Sequence, residues 1–348
     1  MEAQPVAFET PALATTSVTR STALSPVNAI GTLIFNALSA AARLFDPPPT
    51  IPPDSSVTRG TSTLTLPCDC AQTLKTDWYF PNQSTEPVGL IYLQHGFLRS
   101  KTNVSALAVA LAERTNCVVV APTVTSNSFA AGGYWINGEP MQHAIASLFT
   151  GDRAALAASA SAAAGETVTL PTPFVIAGHS AGGNLAAAVA GFTTENGAVA
   201  DLRAVIMFDG VDSGGAIAAA ATKLIGINDR PIYQIAAECA LCNAFGSGTT
   251  ALVGARPDRF VGVKLVGGTH VDAEGDSSGL LGWLVCGRPL PRNIAAVQSI
   301  GAGWITDAFT GSHTGVYGGP GEQIPVGDPT VVVLGHAQAA MAVARLTG

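Results

Sequence analysis

The sequence predicts an α/β protein built on a mostly parallel, eight-stranded sheet with helices on both faces. Three observations predict it. From about residue 88 onward, short and nearly continuous apolar runs alternate with helical patterns, as strands buried on both faces do. One of those runs, Val175-Ile176-Ala177, passes through Gly178-His179-Ser180-Ala181-Gly182 straight into an alanine-rich helical pattern. The composition, 47% apolar and 12% charged over 348 residues, suits a large covered core and excludes a disordered polymer.

Residues 1 to about 24 are rich in Thr, Ala, Ser and Pro without periodicity and read as an extended arm. Ser25-Pro26, a cap followed by proline, opens a helix. Ile30, Leu33, Ile34, Ala37, Leu38, Ala41, Leu44 and Phe45 recur on it at helical spacing. That apolar face predicts packing on the main domain, since the polar face lacks the basic residues of a membrane-surface helix. A proline-rich linker follows Asp46. The resulting division is an N-terminal arm, helix and linker (1–59), a main domain (60–286) and a C-terminal segment (287–348) packed on that domain.

Within the main domain, 62–66 and 76–80 predict an opening antiparallel pair, and 88–93 a third strand running into Gln94-His95-Gly96-Phe97. A helix over 102–114 and a buried strand at 117–121 come next, then one long helix over 141–164. The strand 173–177 leads into the Ser180 turn, and further strands fall at 204–208, 232–236 and 261–266. After 287 come glycine- and proline-rich loops, a short apolar run at 331–334 and a helical tail.

A formal net charge of −7 with no Lys/Arg cluster argues against nucleic acid or an anionic membrane as partner. No apolar run reaches the roughly 18 residues of a transmembrane helix. Nothing in the sequence marks a particular oligomeric state. The six cysteines stand at 68, 70, 117, 239, 242 and 286, an even number compatible with one to three disulfides. Cys68/Cys70 and Cys239/Cys242 are spaced like zinc-ligand pairs, but no histidine lies near either, so no metal is expected. Cys117 opens an apolar run and reads as a buried thiol. Low charge and paired cysteines point to a secreted or cell-envelope protein, although no basic segment followed by an apolar one marks a signal peptide.

Strand, Gly-x-Ser-x-Gly, helix is the context in which this pentapeptide marks a nucleophile, because the tight turn lifts the serine hydroxyl above the sheet. Ser180 then needs a base, and the base an orienting carboxylate. Of the six histidines, His270 lies just beyond the last core strand, in Gly267-Gly268-Thr269-His270-Val271-Asp272, where a parallel sheet gathers its site. His179 reads as packing beside the turn and His95 as loop support; His143, His313 and His336 have no motif around them. For the acid, Asp209 follows one strand directly and Glu238 follows the next, in Ala236-Ala237-Glu238-Cys239, while Asp212 is a third candidate farther from its strand end. The backbone N–H groups of Phe97 and Ala181 are the candidate oxyanion hole. Tyr134 and Trp135, on the loop over 123–140, are candidate substrate-binding residues or aromatics packed beneath that loop. A bridge from Cys239 or Cys242 to Cys286 would tie together the two regions flanking His270.

Four segments resemble a known family. Gln94-His95-Gly96-Phe97-Leu98, Gly178-His179-Ser180-Ala181-Gly182-Gly183, Phe208-Asp209-Gly210-Val211-Asp212 and Thr269-His270-Val271-Asp272 are similar to the HGF loop, GHSRGG elbow, DPVDG segment and GHMD segment of the chlorophyllase-like serine esterases, within the α/β-hydrolase lipase–esterase group. The resemblance runs motif by motif over residues 85–285. It implies a carboxylic-ester hydrolase with Ser180, His270 and Asp209 as the triad, Glu238 standing as the alternative acid. Ala181 replaces the family's arginine and Gly210 its proline, departures that bear on chlorophyll as a substrate and not on ester hydrolysis. The implied substrate is an apolar small-molecule, lipid or polyester ester. An acyltransferase could use the same acyl-enzyme, and a non-catalytic binding module would lack an assembled triad. No cofactor is expected, since no glycine-rich stretch has the context of a dinucleotide or phosphate loop.

Overall fold

A computed structural model of the chain describes residues 26–43, 48–49, 51–68 and 70–336. The ten strands are β1 (Val57–Thr65), β2 (Thr73–Pro81), β3 (Gly89–Gln94), β4 (Cys117–Pro122), β5 (Phe174–His179), β6 (Leu202–Phe208), β7 (Ile232–Ala236), β8 (Gly262–Leu265), β9 (Gln323–Pro325) and β10 (Thr330–Val333). They form one sheet in the order β1-β2-β4-β3-β5-β6-β7-β8-β10-β9. The run from β4 to β8 is parallel, while β1–β2, β2–β4, β8–β10 and β10–β9 are antiparallel pairs.

The expected eight strands are all present, and the sheet exceeds the prediction by two. Both additions come from the C-terminal segment. β10 pairs Val331 with Leu265 and Val333 with Val263, and β9 adds three residues outside it. A three-residue edge strand ending in proline has too little alternation to announce itself in sequence.

The helices are α1 (Pro26–Arg43), α2 (Ser105–Thr115), α3 (Glu139–Ala146), α4 (Ala154–Ala164), α5 (Ala181–Asn196), α6 (Ala216–Lys223), α7 (Ser247–Ala255), α8 (Gly279–Cys286) and α9 (Pro291–Thr310). The single helix expected over 141–164 is two. Gly151 and Arg153 take left-handed backbone conformations (φ 58° and 54°), which break the helical ladder. The Arg153 guanidinium then bonds to Asp201 and to the carbonyls of Phe149 and Thr172, fixing the start of α4.

Every residue of β3, β4 and β5 is buried, and their side chains feed two cores, one on each face of the sheet. Along β5, Phe174 and Ile176 join Trp78, Tyr92 and Phe149 on one face. Val175 and Ala177 join Ile91, Phe208 and Trp304 on the other. A side chain buried in this way contributes roughly 1.5–3 kcal/mol for Val, Leu, Ile or Phe, so the middle strands are a main source of the fold's stability.

α1 departs from expectation. Phe35 meets Phe97 edge-on at 6.1 Å, and the Thr32 hydroxyl donates to the Phe129 carbonyl, but Ile30, Leu33 and Ile34 are exposed. Among the described side chains, the helix meets the domain through Gly31, Thr32 and Phe35. Leu44, Phe45, the arm at 1–25 and the C-terminal tail from 337 lie outside the described residues. Among the described residues no helix is long and apolar enough to cross a membrane.

Candidate active site

β5 ends at His179 and α5 begins at Ala181, leaving Ser180 alone in the turn with φ 57° and ψ −124°. A non-glycine residue there is strained and must be held by its surroundings. The Ser180 N–H donates to Phe208 O at 3.1 Å, and the Ser180 carbonyl accepts from Gly183 and Val211. The flanking glycines answer to close approach. A Cβ on Gly178 would stand 2.0 Å from the Gly182 carbonyl oxygen, and one on Gly182 would stand 2.4 Å from that of Gln94. The loop after β3 presses on the same turn, so that a Cβ on Gly96 would lie 3.0 Å from the Ser180 Cβ. His95, fully buried, supports this loop as expected: its Nε2 accepts from the Val124 N–H at 3.0 Å, so Nδ1 carries the proton and donates to Gly96 O at 2.8 Å.

His270 lies in the turn after β8, with Nδ1 2.5 Å from Asp209 Oδ2. Both residues are buried. Asp209 follows β6 directly in a left-handed conformation (φ 46°). Its Oδ1 accepts from the Ala237 N–H at 2.9 Å and its Oδ2 from Asn243 Nδ2 at 3.1 Å. A carboxylate fixed in this way draws the imidazole proton to Nδ1 and leaves Nε2 free to act as a base. Ser180 and His270 line the same cavity. Among the described residues no hydrogen bond joins the Ser180 hydroxyl to His270, a contact that commonly tightens only when substrate binds.

The structure separates the other carboxylates. Glu238 pairs with Lys264 at 3.3 Å and accepts from the Gly267 N–H. Asp212 accepts from Gly215 and Ile217 N–H and caps the start of α6.

The cavity measures about 310 Å³ and is mainly apolar, with Phe97, Leu98 and Val285 around Ser180 and His270. The Ala181 N–H opens α5 and has no intrahelical acceptor. Among the described residues neither it nor the Phe97 N–H is taken up by another backbone carbonyl. Tyr134 and Trp135 do not line this cavity; both pack, partly buried, against the core on one face of the sheet. Cys242 and Cys286 are disulfide-bonded and form part of the cavity wall, so the bridge to Cys286 is made by Cys242 rather than Cys239. Cys68 and Cys70 are bridged to each other, and Cys117 is a buried thiol whose burial pushes it up to about 12. Among the described residues no cluster of His, Cys, Asp or Glu has the makings of a metal site.

Sequence reasoning missed Asn243, Arg99 and Glu274. Asn243 reaches Asp209 from a short turn at Leu241–Gly246. Arg99 and Glu274 form a buried ion pair at 2.9 Å in the cavity wall. The partners lie 34 and 175 positions apart, so no local pattern announces them.

No protein-family model matches the chain, and no curated protein sequence matches it either. Solved structures do. Brefeldin A esterase, a bacterial homologue of human hormone-sensitive lipase, is 15% identical, with 82% of this chain and 89% of that one aligned at a TM-score of 0.55. One of two fungal esterases from Rhizomucor miehei is 16% identical, with 83% and 98% aligned at a TM-score of 0.51. At such identity the likeness speaks to architecture, and by architecture the chain has the α/β-hydrolase fold.

Proposed function

We propose that the protein is a serine carboxylic-ester hydrolase acting through an acyl-enzyme on an apolar ester. The observation that carries this reading is the strained Ser180 elbow opening on the same cavity as the buried Asp209–His270 pair. In the proposed reaction His270 Nε2 takes the Ser180 proton as the oxygen attacks the ester carbonyl. The Phe97 and Ala181 N–H groups receive the oxyanion. Collapse of that intermediate breaks the acyl–oxygen bond, and the alcohol leaves with the proton returned by His270. Water, deprotonated by the same imidazole, then releases the acid and regenerates Ser180.

The apolar lining favours an apolar acyl or alcohol group, and a cavity of about 310 Å³ sits at the small end of ligand pockets, favouring one chain of modest length. The two disulfides fit an oxidising compartment, so a secreted or cell-envelope location belongs to the same reading. Residues 60–286 would form the catalytic domain, with 287–348 completing it. The test is Ser180→Ala. Turnover of short p-nitrophenyl esters and labelling by a fluorophosphonate should vanish while the melting temperature is retained. A variant that still turns over these esters would sink the proposal.

A further inference from the structure

Arg99, His179 and Glu274 line the same cavity as Ser180 and have no task in the acyl-transfer scheme. Glu274 is completely buried. Its Oε1 accepts from Arg99 Nε at 2.9 Å and lies 3.3 Å from His179 Nδ1, a close charge contact rather than a well-aligned hydrogen bond. Among the described residues its Oε2 has no hydrogen-bond partner. On the opposite edge of the His179 ring, Nε2 lies 2.8 Å from the main-chain carbonyl oxygen of His270. A carbonyl can only accept, so that nitrogen carries a proton and donates it. The two imidazoles sit 4.7 Å apart.

We propose that Glu274 and His179 are positioning residues that hold the His270 main chain in register with Ser180, with Arg99 as the counter-ion of Glu274. This rests on the ester-hydrolase reading above. Asp209 sets the direction in which the His270 ring points. His179 grips the carbonyl of the same residue and so fixes the point from which the ring hangs. Because His179 is the immediate chain neighbour of Ser180, it ties the base to the nucleophile across the top of the sheet. Glu274 in turn keeps the His179 ring from rotating away from that carbonyl. A buried ion cluster is a poor source of stability compared with apolar side chains of equal size, which argues for a positional use. Burial alone would push the Glu274 carboxyl up. The contact with His179 and the positive charge of Arg99 outweigh burial and hold the carboxyl below the usual carboxylate range.

The test is Glu274→Gln, which keeps the volume and removes the charge. We expect kcat to fall by about 10- to 100-fold, the scale of a small misplacement of reacting groups, with KM changed by less than about threefold. Fluorophosphonate labelling should slow in step. The acidic limb of the kcat/KM profile supplies a second readout. Asp209 faces His270 at Nδ1, and the cluster of Glu274, His179 and Arg99 lies on the side of its main-chain carbonyl. Removing one negative charge disfavours the imidazolium, so the limb should move to lower pH. Should Glu274→Gln fail to fold, His179→Ala and His179→Gln replace it. Alanine removes the donor and should lose activity, whereas the glutamine amide can reach the His270 carbonyl and should recover part of it. Wild-type labelling rates in Glu274→Gln, an unmoved acidic limb, or equal activity in the two His179 variants would overturn the inference. A wild-type protein that does not react with the probe would instead defeat the ester-hydrolase reading and this inference with it.

Discussion

Asp209 is held from three sides, by the Ala237 N–H, the Asn243 amide and His270 Nδ1. Each is a donor, so the site is built for a carboxylate. In Asp209→Asn the new amide would donate toward Nδ1, shift the imidazole proton to Nε2 and leave no base for Ser180. Turnover should fall by about 10⁴-fold, as when the same exchange is made in other Ser-His-Asp enzymes. Glu238→Gln should change kcat by less than about twofold, because Glu238 faces Lys264. Steady-state kinetics on a p-nitrophenyl ester checks both, and the reverse ranking would place the acid at Glu238. The comparison also shows what a sequence can carry at this scale. Ser180 and His270 stand in local patterns with local causes, the elbow and the strand-end turn. Asp209 and Glu238 both stand at strand ends, and what distinguishes them, the Asn243 amide and His270 for one and Lys264 for the other, lies in tertiary contacts. Glu274 is invisible for the same reason: its partners come from loops that meet only after folding.

At the level of elements, the fully buried strands were the most legible, because a continuous apolar run has few other uses. Breaks and edges were not. The kink between α3 and α4 depends on two left-handed residues, and β9 is too short and polar to show a pattern. The apolar stripe on α1 was readable, but which part of it meets the domain depends on Phe97 and Phe129, about 60 to 100 residues away. The Cys242–Cys286 bridge joins the turn that carries Asn243 to α8, across a sequence separation of 44. Closing a loop of that size restricts the unfolded chain by about 4 kcal/mol in the chain-entropy account. Cys286→Ser should therefore lower the melting temperature by several degrees, and because Cys242 and Cys286 line the cavity, it should also raise KM. Scanning calorimetry and ester kinetics with and without reductant supply the check. Reductant should bring the wild-type protein to the variant's values and leave the variant little altered. A variant as stable as wild type would mean that the bridge does not constrain this wall.

Across the whole molecule, the parallel strands deliver Ser180, Asp209 and His270 to one edge, while antiparallel strands close both ends of the sheet. The end beyond β8 depends on the chain folding back after α9, and Asp307 fastens that return. Its carboxylate accepts from the Ser312, Thr314 and Tyr317 hydroxyls and from the Thr314 and Gly315 N–H groups. Burial would raise this carboxyl, but those hydrogen bonds outweigh it and hold it well below the ordinary value. A carboxyl depressed in the folded state stabilises the protein above its unfolded pKa, about 3.9 for Asp, and that contribution disappears as pH falls toward the folded value. Asp307→Asn should thus melt several degrees below wild type from pH 5 to 8, with the gap narrowing steadily from about pH 4 downward. Amide exchange in β9 and β10 should rise in the variant at neutral pH while β5 and β6 stay protected, since the central strands have their own buried cores on both faces. A gap that widened in acid, or uniform loss of protection across the sheet, would show that Asp307 does not anchor this edge.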